Sequence, residues 1–116
     1  MNNTEKIFNK YDEMETTRVS PTVNRKMSYL NNLMVTIVDI DGPMQEPDPV
    51  HSHEAEQICY IAEGECIVFI GDKQMTMKAG DIFAVPSNVP HAIQALSEKL
   101  RLVDSFNPIR EDFIKK

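Results

Sequence analysis

The chain has 116 residues, 41% hydrophobic and 26% charged, the composition of a globular domain rather than of a disordered segment. Twelve Lys and Arg against 18 Asp and Glu give a formal charge of −6, which argues against a basic nucleic-acid-binding module. Two cysteines are too few for a disulfide framework and point to a reducing, cytoplasmic setting. The opening MNNTEKIFNKY has no apolar run like that of a signal peptide or membrane span.

Residues 1–18 are polar and charged, with Ile7, Phe8, Tyr11 and Met14 available for one helical stripe, and read as an N-terminal arm or short docking helix. From residue 19 to 116 the texture changes. Short runs rich in Val, Ile, Phe and Met fall near 25–30, 33–40, 57–62, 66–70, 74–78, 82–86, 91–96 and 100–106. Gly, Pro, Asn and Asp punctuate them, as at Asp41-Gly42-Pro43, Gly71-Asp72-Lys73 and Ala79-Gly80-Asp81. Eight short strands and no long helix predict an all-β domain, a sandwich or small barrel.

The segment 57–70 reads as a hairpin turning at Glu63-Gly64. Cys59 and Cys66 are then diagonal neighbours, poorly placed for a disulfide, and are expected as buried thiols. One face carries Gln57, Cys59, Ile61, Cys66, Val68 and Ile70; the other carries Ile58, Tyr60, Ala62, Ile67 and Phe69. Both are apolar and both should be covered. Ile58, Tyr60, Ile67 and Phe69 form an outer patch that predicts a homodimer.

The chain has three histidines, His51, His53 and His91. Strand parity would send His51 and His53 to one side, and Gln57 shares that parity. His91 follows the rigid loop Pro86-Ser87-Asn88-Val89-Pro90, which could aim its imidazole inward. Three imidazoles around an open position are a catalytic metal pattern. Taken alone, a His-x-His pair is more often an exposed loop, here tethered by Pro47 and Pro49.

A second group closes the sequence. Leu100, Leu102, Asp104 and Phe106 share one strand face, so Asp104 should be carried inward, where a carboxylate needs a partner or a task. Arg110 follows a Pro-containing bend and could return over the barrel mouth as a carboxylate clamp. The pair Asp104–Arg110 could equally just close the barrel end.

From His51 the order His-x-His-x-x-x-Gln-x-x-x-x-x-x-Gly ends at Gly64, and after fifteen intervening residues comes Gly80-x-x-x-x-x-Pro86-x-Asn88-x-x-His91. This resembles the two signature motifs of the cupin family, which implies a conserved β-barrel (double-stranded β-helix, jelly-roll) and a metal site. The chain departs from the cupin pattern in three places. Gln45 stands where a glycine usually precedes the first His. Asn88 replaces a glycine, and Asn tolerates a left-handed backbone. Gln57 stands where a glutamate ligand is usual, leaving the site more positive and any bound ion a stronger Lewis acid. Glu56 is one residue out of register and should point away.

Asn32-Leu33-Met34, His51-Ser52-His53, Glu56-Gln57-Ile58 and Pro86-x-Asn88-x-Pro90-His91, with Asp104-x-Phe106-x-Pro108-x-Arg110-Glu111-Asp112-Phe113, resemble the KdgF-like cupins more narrowly. Those proteins linearise 4,5-unsaturated monouronates from pectin or alginate to a 4-deoxy-5-keto-uronate. The resemblance implies His51, His53, Gln57 and His91 as ligands of one divalent transition metal ion (Zn, Ni, Fe or Mn). It implies Asp104, Phe106 and Arg110 as catalytic residues and a small sugar acid as substrate. The competing readings are a metal-dependent dioxygenase or isomerase, and a non-catalytic module that binds a metal or a sugar acid.

Overall fold

The computed structural model describes residues 7–114. Nine strands follow one another: β1 (Thr17–Ser20), β2 (Val23–Tyr29), β3 (Met34–Asp41), β4 (Glu56–Glu63), β5 (Glu65–Ile70), β6 (Lys73–Lys78), β7 (Ile82–Val85), β8 (His91–Ala95) and β9 (Lys99–Asn107). A single helical turn, α1 (Glu111–Ile114), ends the described chain. The strands form a six-stranded sheet in the order β1-β2-β3-β9-β4-β7 and a three-stranded sheet in the order β6-β5-β8. All pairings between these strands are antiparallel.

Strand β9 lies at the heart of the larger sheet, between β3 and β4, and its sequence explains why. Leu100, Leu102, Asp104 and Phe106 are buried at alternate positions, the period that puts one face of a strand on a core. Leu100 and Leu102 join Ile40, Cys59, Ile61, Cys66, Val68, Phe83 and Val85 in the main apolar cluster. Phe106 joins Tyr29, Met34 and Ala55 in a second one. Asp104 stands between, with Thr36 opposite on β3 and Cys59 opposite on β4. One inward face therefore runs from an apolar floor to a polar zone, and that zone holds the candidate site.

The 57–70 segment differs from the sequence expectation. β4 pairs with β9 and β7, while β5 pairs with β6 and β8, so Glu63-Gly64 carries the chain from one sheet to the other instead of turning a hairpin. Gly64 adopts φ +94, and a Cβ there would collide with the Lys99 carbonyl oxygen, so only glycine fits the crossing. Cys59 and Cys66 are free, buried thiols, and the inward parity of Gln57, Cys59, Ile61, Cys66 and Val68 is as the alternation predicted.

The outer patch is divided by the same crossing. Ile58 and Tyr60 lie on the larger sheet, opposite Ala84 and Ile82 of β7, whereas Ile67 and Phe69 belong to the smaller sheet and are half-buried. On the β4–β7 side of the larger sheet, Ile58 (54% exposed), Tyr60 (46%) and Ile82 (59%) remain as the open part of that patch.

The expected helical stripe near the N-terminus is also different. Residues Tyr11–Glu13 form a single 3₁₀ turn, and Ile7 and Phe8 are exposed. Polar contacts hold the turn to the outer face of the larger sheet. The Tyr11 hydroxyl donates to Asp39 Oδ2 (2.6 Å) and accepts from Arg101 Nη2 (2.8 Å), while Lys26 Nζ donates to the Tyr11 carbonyl (2.6 Å). Residues 1–6, which open the predicted arm, lie outside the described residues, and β1 straddles the boundary predicted between residues 18 and 19.

Candidate metal centre and cavity

His91 opens β8 and pairs through its backbone with His51, each donating its N–H to the other's carbonyl (3.1 and 2.9 Å). That bridge sets the two rings 4.3 Å apart, centroid to centroid. His53 follows two residues on, its ring 4.8 Å from that of His91. Its carbonyl accepts from the N–H of Asn88, which sits at φ 67, the left-handed conformation in which Asn replaces glycine with little strain. One ligand atom from each of the three histidines lies within 4.8 Å of the others, so they can hold a metal ion.

The hydrogen bonds show which atoms are free for it. His53 Nδ1 is 2.8 Å from the Ala55 carbonyl, and His91 Nδ1 is 2.9 Å from the Val89 carbonyl. A carbonyl only accepts, so each Nδ1 carries the proton and each Nε2 of the neutral ring presents a lone pair. Burial pushes both rings below the ordinary histidine range, which favours that neutral form. His91 Nε2 is buried without a hydrogen-bond partner among the described residues. His53 Nε2 faces Gln57 Oε1 at 3.1 Å. Gln57 Nε2 in turn donates to Asp104 Oδ1 at 2.9 Å, which fixes the amide so that its oxygen points at His53. Unpaired lone pairs converging in a buried site repel unless a cation sits among them. Nitrogen donors with one amide oxygen fit a divalent transition ion.

Asp104 is buried, and burial pushes its carboxyl above the usual carboxylate range against the hydrogen bonds from Cys59, Gln57 and Thr36. The Cys59 thiol is pushed up by burial and by the neighbouring Asp104, and stays protonated. Arg110 is not the partner of Asp104. Its Nε and Nη2 donate to the two carboxylate oxygens of Asp112 (3.0 and 2.8 Å), and its Cζ lies 5.4 Å from the Phe106 ring centroid. The simple closing pair is thus absent among the described hydrogen bonds. Phe106 packs edge-on against His53 (5.7 Å) and Phe113 (5.8 Å). Glu56 is exposed, as its parity predicted.

A cavity of about 380 Å³ is lined by His51, Gln57, His91, Asp104, Phe106 and Arg110. Arg25 of β2 lines it too, a residue that sequence reasoning missed. Its parity with Val23 and Met27 was the available signal, but the strand sequence VNRKMSY alternates too weakly to reveal an inward face.

Residues 41–106 match the Cupin domain family. The protein is a cupin. It is 30% identical to the pectin degradation protein KdgF of Dickeya dadantii, over 89% of this chain and 94% of that protein. The structure of KdgF from a Halomonas species superposes with a TM-score of 0.83 at 29% identity, covering 91% of this cupin and 98% of that chain. A 3-hydroxyanthranilate 3,4-dioxygenase from Xenopus laevis is 29% identical over 81% of this chain, which spans only 34% of that enzyme. The described residues include no helix long and apolar enough to cross a membrane.

Proposed function

We propose that this cupin is an enzyme that converts 4,5-unsaturated monouronates to the linear 4-deoxy-5-keto-uronate. The observation that supports it best is the chain His53–Gln57–Asp104, in which an amide stands where other cupins place a carboxylate and is oriented by a buried acid. The similarity to KdgF along nearly the whole of both chains supports the same reading.

His51, His53, Gln57 and His91 would hold one divalent transition ion. The ion, when bound, would supply Lewis acidity to the ring oxygens of the sugar. Linearisation needs water added across the enol ether, with a proton to C4 and the hydroxyl to C5, and the ring hemiketal so formed at C5 then opens to the ketone. Asp104, which lines the cavity, would carry that proton, and its raised affinity for a proton suits the task. Phe106 gives the sugar an apolar wall. Arg110, which lines the cavity, would bind the uronate carboxylate in place of Asp112 on its guanidinium fork. The open face at Ile58, Tyr60 and Ile82 would be covered by a second copy of the chain, and the free thiols fit a cytoplasmic setting.

Metal-loaded protein incubated with lyase-generated monouronate should yield the open-chain keto acid by nuclear magnetic resonance, and chelator-treated protein should not. Unchanged monouronate in both samples would refute the reading. The likeness to a dioxygenase favours a second one, oxygen chemistry on the same three histidines. Substrate-dependent oxygen consumption would support that instead.

A further inference from the structure

Arg25 shares the parity of Val23, which packs on the main core cluster, and of Met27, which packs on the second. Its guanidinium is therefore carried toward the interior, where a charge is costly unless its donors are engaged. Little engages them. Nε is buried and has no hydrogen-bond partner among the described residues. Asp112, whose negative charge reaches Arg25, already gives both carboxylate oxygens to Arg110. Asp104, on the wall of the same cavity, accepts from Gln57. The cavity thus holds two guanidiniums, and only that of Arg110 has a carboxylate partner.

The Arg25 group is also held in place. Its Cζ lies 3.7 Å from the Phe113 ring centroid, and Arg110 Cζ lies 4.2 Å from the same ring. Stacking fixes the plane of a guanidinium while leaving its edge donors available. A planar, stacked, unpaired fork in a cavity of small-molecule size suits a planar anion, and a carboxylate matches it best.

We propose that Arg25 is a substrate-binding residue that anchors the carboxylate of a small sugar acid, with Arg110 as the second cation of the subsite. The choice of a uronate as that acid rests on the function proposed above.

The test uses the metal-loaded protein and two non-reacting probes, galacturonate and the neutral galactose, with affinities measured by calorimetry. The wild type should prefer galacturonate, and Arg25→Gln should weaken its binding about 10- to 100-fold while leaving galactose unchanged. Arg25→Met, which keeps the packing on Phe113, should lose as much; Arg25→Lys should recover part. With unsaturated monouronate, Arg25→Gln should raise KM by a similar factor and leave kcat within about twofold. Unchanged galacturonate affinity in Arg25→Gln and Arg25→Met would overturn the anchor, leaving Arg25 a packing residue. So would a wild type that turns over the monouronate without preferring galacturonate to galactose. A wild type that binds galacturonate through Arg25 but never converts the monouronate sustains the anchor and refutes the reaction.

Discussion

Gln57 of β4 and Asp104 of β9 are diagonal neighbours on the inward face, joined by a 2.9 Å hydrogen bond from the amide nitrogen to the carboxylate. That bond decides which end of the amide faces His53, so Asp104 orients the side chain proposed as the fourth ligand beside the three histidines. An outer partner of this kind orients the coordinating group and tunes it.

Asp104→Asn separates the two duties of this residue. Asn can still offer an oxygen to Gln57 Nε2, so metal content measured by mass spectrometry should stay within about twofold of the wild type. Turnover should fall by roughly 100-fold or more, the usual contribution of a positioned acid. Full activity in this variant would remove Asp104 from the proton path.

The four donors should not be equal in metal affinity. His53→Ala removes a charge-dense imidazole lone pair, whereas Gln57→Ala removes a neutral amide oxygen, a weaker ligand for a transition ion. Competition titration against a chelator should rank the losses His53→Ala above Gln57→Ala. Equal losses would mean that Gln57 matters for something other than coordination.

Tyr11, Asp39 and Arg101 make stability depend on acid. Burial pushes the Asp39 carboxyl up, but hydrogen bonds from Arg101 and Tyr11 and the charge of Arg101 outweigh it and leave it below the ordinary value. A carboxyl lowered by folding stabilises the folded state fully above its unfolded value and loses that contribution as pH falls through the folded one. Below about pH 4, thermal melts should therefore decline, and Tyr11→Phe should flatten that decline. At neutral pH the same change should cost no more than about 1 kcal/mol, because the pair is partly screened by solvent. A decline equally steep in Tyr11→Phe would show that other carboxyls govern it.

Ile58, Tyr60 and Ile82 give a test of assembly. Sedimentation at micromolar concentration should report twice the 13.2 kDa chain mass, and Tyr60→Glu should return the monomer. A wild-type monomer would refute the homodimer.

The parts of this molecule that a sequence reveals are those with a clean period. Alternation in Leu100, Leu102, Asp104 and Phe106 carries the acid into the interior, and the structure keeps that parity to the residue. His51 and His53 meet His91 as their spacing suggested, because the His51–His91 backbone bridge closes the distance that sequence leaves open. Period fails where both faces are apolar: nothing in Gln57–Ala62 and Cys66–Ile70 says that Gly64 crosses between sheets. It fails again at Arg25, whose strand mixes polar and apolar residues on both sides. Partner choice is hidden as well. Arg110 lines the cavity, but its spacing does not reveal that Asp112, two residues on, occupies its fork.

The most direct test of the account is the rate at which unsaturated monouronate loses its ultraviolet absorbance. Metal-loaded wild-type protein should accelerate that loss well beyond the spontaneous rate, and stripped protein and Asp104→Asn should fall back toward it. Absorbance that decays at the spontaneous rate with metal-loaded wild-type protein would contradict the proposed function.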